Sequence, residues 1–143
     1  MNNIVNTENI KYEYAKHDNE GNVVDTVHAL DGVSINVEAG SFIAVLGGNG
    51  SGKSTFAKHL NALLVPSEGT VYIDKMNTTD DSLKFDIRKT ASMVFQNPDN
   101  QIVASVVDEE VGFGPENIGV PTEDIWVRVE KALKDVGIQG QLT

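Results

Sequence analysis

The chain of 143 residues contains no cysteine, so neither a disulfide framework nor a zinc–thiolate site can organise it. It is poor in arginine: Arg88 and Arg128 are the only two, and neither stands in a basic cluster. Lysine and arginine together number 11 against 21 aspartates and glutamates, a net charge of −10. That balance argues against a nucleic-acid binder, which presents a basic surface. It also argues against adsorption to anionic lipid. No apolar run approaches the roughly 18 residues that span a bilayer. The start, MNNIVNTENIKYEY, has no basic segment followed by an apolar one, so no signal peptide is expected. The chain reads as soluble, with any membrane role passing through a protein partner. What it does have is 40% hydrophobic residues, enough to bury the core of one ordinary domain.

The first strand signal is NIKYEY, where Ile10, Tyr12 and Tyr14 alternate with Lys11 and Glu13. HDNEGN (17–22) reads as a turn, and Val33, Ile35 and Val37 return at period two, so the chain is expected to open as an antiparallel meander. SFIAVLG (41–47) is apolar without alternation, the pattern of a strand buried on both faces. KSTFAKHLNALL then places Phe56, Leu60, Leu63 and Leu64 on one helical face, with His59 expected at the surface. VYID (71–74) and ASMVFQ (91–96) read as further strands. IVASVVDEEVGF (102–113) is ambiguous between helix and strand. Thr122 has the character of an N-cap, with Glu123 and Asp124 in the first turn. Ile125, Val129, Ala132, Leu133 and Val136 form the stripe of the helix it opens, and Gly137 ends it. Trp126, beside that stripe, packs at the helix edge or meets a partner.

The chemistry is concentrated in Gly47-Gly48-Asn49-Gly50-Ser51-Gly52-Lys53-Ser54, which satisfies G-x-x-x-x-G-K-[ST]. At average residue usage the pattern arises by chance in roughly one chain of this length in two hundred. Here it also lies between a strand signal and a helix signal, the context it requires. Glycines let backbone N–H groups turn towards phosphate oxygens, and the following helix aims its N-terminus at the same anion. Lys53 reaches the β- and γ-phosphates, and the Ser54 hydroxyl ligates magnesium. The loop holds phosphates. The histidines His17, His28 and His59 share no metal-ligand spacing.

GGNGSGKST, MVFQNPDNQ and the N-terminal IKYEY together resemble the ATP-binding subunits of ABC transporters. VFQNPDNQIVASVVDEEVGFGPENIGV is similar to the energy-coupling-factor and cobalt-importer branch of that family. The resemblance implies an α/β fold: a P-loop NTPase (RecA-like) core with an N-terminal antiparallel β-subdomain and the start of a helical subdomain. It implies residues 1–96 as the nucleotide-binding core with its β-subdomain, and 97–143 as the Q-loop and start of the helical subdomain. It implies ATP and magnesium as ligands, held by residues 47–54 together with Thr55. Gln96 would contact magnesium and the attacking water, so that Lys53 and Gln96 carry the catalytic roles. Tyr14 would stack on adenine, although a sheet aromatic packing the core reads the same way. The implied partners are a second ATPase subunit, identical or closely related, and a transmembrane coupling subunit docking near residues 97–117. The implied location is peripheral, on the cytoplasmic face of the cell membrane, with no nucleic acid bound.

No LSGGQ-type signature, no strand ending in Asp-Glu and no later histidine follow Gln96 in that order before Thr143. The chain is therefore expected to be the N-terminal part of a longer ATPase, inactive in hydrolysis by itself and with some apolar sheet surface exposed. One alternative reads IVASVVDEE (102–110) as the acidic strand of a complete small P-loop NTPase or kinase, with Asp108 and Glu109 at its end. A kinase would need a cationic lid, which two arginines do not supply, and a GTPase would need an Asn-Lys-x-Asp motif, which is lacking. Nucleotide binding without hydrolysis is the remaining alternative.

Overall fold

In a computed structural model of the chain, residues 2–138 are described. Both outer ends of the two expected domains, Met1 and 139–143, lie outside them. The chain divides into two compact units, residues 1–93 and 94–143.

The first unit is built on a hairpin of β1 (Asn3–His17) and β2 (Val23–Glu38). Its turn closes through the Asp18 carboxylate, which accepts from the backbone N–H groups of Glu20 and Asn22 at 2.9 Å each. The Asn22 N–H, chief among these bonds, holds the Asp18 carboxyl below the usual carboxylate range. Tyr12 pairs with Leu30 and Tyr14 with Val27. A bulge at Asn9 interrupts the ladder, and the Thr7 hydroxyl accepts from the Ile35 N–H at 2.8 Å beside it. β3 (Glu68–Ile73) joins the other edge of β1, and the two-residue β4 (Met76–Asn77) completes an antiparallel sheet in the order β2-β1-β3-β4.

Helix α1 (Lys53–Leu60) follows the glycine loop, and α2 (Lys84–Thr90) follows a short 3-10 turn at Asp81–Leu83. Ile10, Leu30, Phe56, Ala62, Val71, Ile73 and Ile87 form one buried cluster from the sheet and both helices. Each of these side chains except the small Ala62 contributes roughly 1.5–3 kcal/mol when removed from water.

The second unit is helical: a 3-10 turn at Pro98–Gln101, α3 (Val107–Asn117) and α4 (Thr122–Asp135). Ile125, Val129 and Leu133 are buried on α4 as the stripe predicts, with Val111 and Val120 against them. Gly112 of α3 lies buried there, where an added Cβ would meet Ile125 and Val129 side chains at 3.5 and 3.7 Å. Ala132 and Val136 lie outside the buried stripe, and Gly137, at φ +80°, terminates the helix.

Several expectations are corrected. The run 41–47 forms no ladder, with Phe42 96% and Leu46 90% exposed. A strand buried on both faces needs neighbours on both edges, and no described strand pairs with it. ASMVFQ likewise forms no ladder, and Val94 is 91% exposed. Helix α1 stops at Leu60, so Leu63 falls beyond it and is exposed. His59 is fully buried, not at the surface. Pro121, with extended backbone, occupies the N-cap position expected for Thr122, and no side chain caps α4. Asp108 and Glu109 stand in the first turn of α3, where acids suit the helix dipole. They end no strand, which removes the structural basis of the small-enzyme alternative.

Candidate functional site

Residues 47–52 curl in front of α1. The Ser51 N–H donates to the Gly48 carbonyl at 3.3 Å, and the Phe56 N–H opens the helix by donating to Gly52 at 2.8 Å. Gly52 has φ +90°, and a Cβ there would collide with the Ala29 carbonyl of β2. Only glycine lets the loop pass so close to the sheet. A Cβ on Gly47 would lie 2.5 Å from the Ser51 hydroxyl, whereas one on Gly48 or Gly50 would meet nothing. The loop is thus tight on its inner side and open on its outer side.

Lys53 supplies the charge. Its Nζ donates to the carbonyls of Gly47 and Gly48 at 2.7 Å each and to the Ser51 hydroxyl at 3.3 Å. The ammonium is therefore held inside the curl, beside the positive end of the α1 dipole. Gly52 offers no side-chain cap, and the first turn of α1 contains no acidic residue. The N–H groups of that turn remain available to an external acceptor. Ser54 is exposed on the same turn and Asn49 on the loop. Cationic lysine, uncapped amides and an open glycine rim are a donor set for a polyphosphate.

Tyr14 of β1 lies next to this loop in space. Its hydroxyl and the Thr55 hydroxyl are 3.2 Å apart, across 41 residues of chain. The ring is 40% exposed and meets Tyr12 edge-on, with centroids 5.0 Å apart. The aromatic that the sequence singled out is thus tethered to the residue following Ser54. Gln96 stands exposed in the second unit. His59 is the residue that sequence reasoning missed. Its position four after Thr55, within the Phe56 face of α1, is the signal that could have found it.

In the second unit, α3 and α4 enclose an open cleft of about 480 Å³ lined by Asp108, Glu109, Phe113, Glu116 and Trp126, among others. The Glu110 carboxylate accepts from the Val103 and Ala104 N–H groups at 2.8 and 2.6 Å, tying the preceding segment to α3. Among the described residues no cluster of His, Asp and Glu could hold a metal ion by protein ligands alone. No described helix is long and apolar enough to cross a membrane.

A family model described as ABC transporter matches residues 30–143. The chain is 51% identical over 136 residues to the energy-coupling factor transporter ATP-binding protein EcfA1 of Clostridium novyi, covering 95% of this chain and 47% of that protein. It is 46% identical over 110 residues to the cobalt import ATP-binding protein CbiO of Syntrophus aciditrophicus, covering 77% of this chain and 39% of the relative. Among solved structures, CbiO1 from Clostridium perfringens, part of the ABC transporter complex CbiONQ, superposes with a TM-score of 0.78 at 35% identity, covering 97% of this chain and 52% of that one. A dimeric ATP-binding cassette in a post-hydrolysis state, bound to ADP and Pi, gives a TM-score of 0.75 at 29% identity, covering 91% of this chain and 56% of that one. The chain spans about half the length of the curated relatives it matches.

Proposed function

Because the chain belongs to the ABC transporter family, we propose that it is the ATP-binding part of an importer ATPase, which couples ATP binding and hydrolysis to solute uptake through a membrane partner. The observation that carries this reading is the Lys53 ammonium held in an open glycine loop before an uncapped helix N-terminus. Amides of residues 47–55 and Lys53 take the β- and γ-phosphates, leaving the loop carbonyls that Lys53 now bonds. Tyr14 offers its exposed ring to adenine. Ser54 would supply a hard oxygen ligand to magnesium, which when bound neutralises charge on the phosphates. For Gln96, in the second unit, the contacts with magnesium and the attacking water rest on the family resemblance alone.

We assign residues 1–96 to the nucleotide-binding core and 97–143 to the Q-loop and the start of a helical subdomain. The γ-phosphate recruits a second ATPase subunit, and hydrolysis removes that bridge. The cleft beside α3, acidic at Asp108, Glu109 and Glu116 and apolar at Phe113 and Trp126, suits a cationic, partly apolar segment of a transmembrane coupling subunit docking near residues 97–117. Such docking places the protein peripherally, on the cytoplasmic face of the membrane. Cobalt uptake fits the name of one relative.

The test is ATP binding in the presence of magnesium, with phosphate release recorded alongside. Lys53→Ala is expected to weaken ATP binding roughly 10- to 100-fold, the loss of one charge-assisted contact set. An unchanged affinity in Lys53→Ala would remove the phosphate reading.

A further inference from the structure

Tyr14 and Thr55, which flank the proposed nucleotide site, close a circuit with His59 and Tyr12, two residues that the proposed chemistry does not use. The Tyr14 and Thr55 hydroxyls are hydrogen-bonded at 3.2 Å. The Thr55 carbonyl accepts from Nδ1 of His59 at 2.7 Å. The His59 ring meets Tyr12 edge-on at 4.9 Å between centroids, and Tyr12 meets Tyr14 in the same manner at 5.0 Å. The circuit joins β1 to α1 and runs from the tyrosine beside the loop to the residue directly after Ser54.

His59 is an expensive residue to place here. A carbonyl can only accept, so Nδ1 carries the proton, and Nε2 is buried without a hydrogen bond, although the Val65 carbonyl also acts on the ring. Leucine has a similar volume and would leave no buried nitrogen unsatisfied. What histidine supplies and leucine cannot is a second hold on Thr55. The carbonyl is gripped by His59 while the hydroxyl is gripped by Tyr14, and the imidazole also packs nearly perpendicular to the Tyr12 ring.

We propose that His59 is a positioning residue that couples recognition of the base to recognition of the triphosphate. It fixes Thr55, and through Thr55 and Tyr12 it sets where the Tyr14 ring stands relative to the N-terminus of α1. A ligand carrying both an adenine and a polyphosphate is then read as one rigid object, whereas a bare polyphosphate does not sense the circuit. This rests on the nucleotide reading of the loop and of Tyr14.

The experiment compares calorimetric affinities for ATP and for inorganic tripolyphosphate, both with magnesium, on the intact chain. Wild type is expected to prefer ATP. His59→Leu is expected to reduce that preference about five-fold, the scale of one net hydrogen bond, while tripolyphosphate affinity is unchanged. His59→Asn, whose amide N–H can reach the same carbonyl, should restore most of it. Tyr14→Phe keeps the ring and cuts the tether, and should match His59→Leu, with the double variant losing no more than either alone. Tyr14 is partly exposed, so this variant decides the matter even if His59→Leu does not fold. A preference preserved in both single variants overturns the proposal. So does an equal loss for both ligands, which would mark His59 as structural only. A wild type that binds tripolyphosphate but shows no preference for ATP overturns the base reading of Tyr14 and the coupling with it. A wild type that binds neither ligand overturns the phosphate reading itself.

Discussion

The β1–β2 hairpin and the run 41–47 are neighbours in sequence, and both have the composition of strands. The hairpin pairs along its length, buries Ile10 and Leu30, and turns on a single aspartate. The run beside it is more apolar, yet Phe42 and Leu46 stand almost wholly in solvent. Hydrophobicity alone therefore does not decide which segment is buried. An alternating strand needs one covered face and can find its partner a turn away, at small entropic cost. A continuously apolar strand needs cover on both faces and on both edges, from segments far along the chain.

The contrast can be broken or sharpened by three substitutions, taken in order of expected effect. Ile10→Ala removes a fully buried side chain from the sheet core and should destabilise the first unit by about 2–5 kcal/mol. Urea unfolding followed by sheet circular dichroism measures it, and a cost below about 1 kcal/mol would mean the hairpin face is loosely packed.

A smaller effect is expected at His59 on acidification. Burial pushes this imidazole below its ordinary pKa, against the opposing pull of the Thr55 and Val65 carbonyls. Tyr12 and, through Thr55, Tyr14 face it from β1, and among the described residues no ionised group contributes to its titration. The folded state thus binds this proton less readily than the unfolded state. Stability is then complete above the ordinary value of about 6.5 and declines as pH falls below it towards the lowered one. Unfolding of His59→Leu should lack this component. Parallel pH profiles for the two proteins would contradict the assignment.

Least affected should be Phe42→Ser, with a change under about 0.5 kcal/mol, since the ring has nothing to lose. A loss of several kcal/mol would show that the run is covered in solution, and sedimentation of both proteins would tell whether a second copy covers it.

Legibility in the sequence followed the same division. The turn at Asp18, the spacing of residues 47–54 and the stripe Ile125, Val129 and Leu133 are local patterns, and each stands where it was expected. The segment 102–110 was ambiguous because Ile102, Val106 and Val107 suit either structure. A helix begins at Val107, with acids in its first turn and Glu110 reaching back to two amides. Histidine at position 59 reads as polar, yet it is fully buried, with the Tyr12 ring from β1 packed against it.

The sequence by itself determined the glycine loop and its place before a helix, because glycine spacing, a lysine and a following helix act within a dozen residues. Tertiary structure decided which groups stand around that loop. Tyr14 meets Thr55 across 41 residues, and the carbonyl of Ala29 sets the limit at Gly52. Both depend on how β1 and β2 pack against α1, and such packing is a property of nonlocal partners that no local pattern encodes.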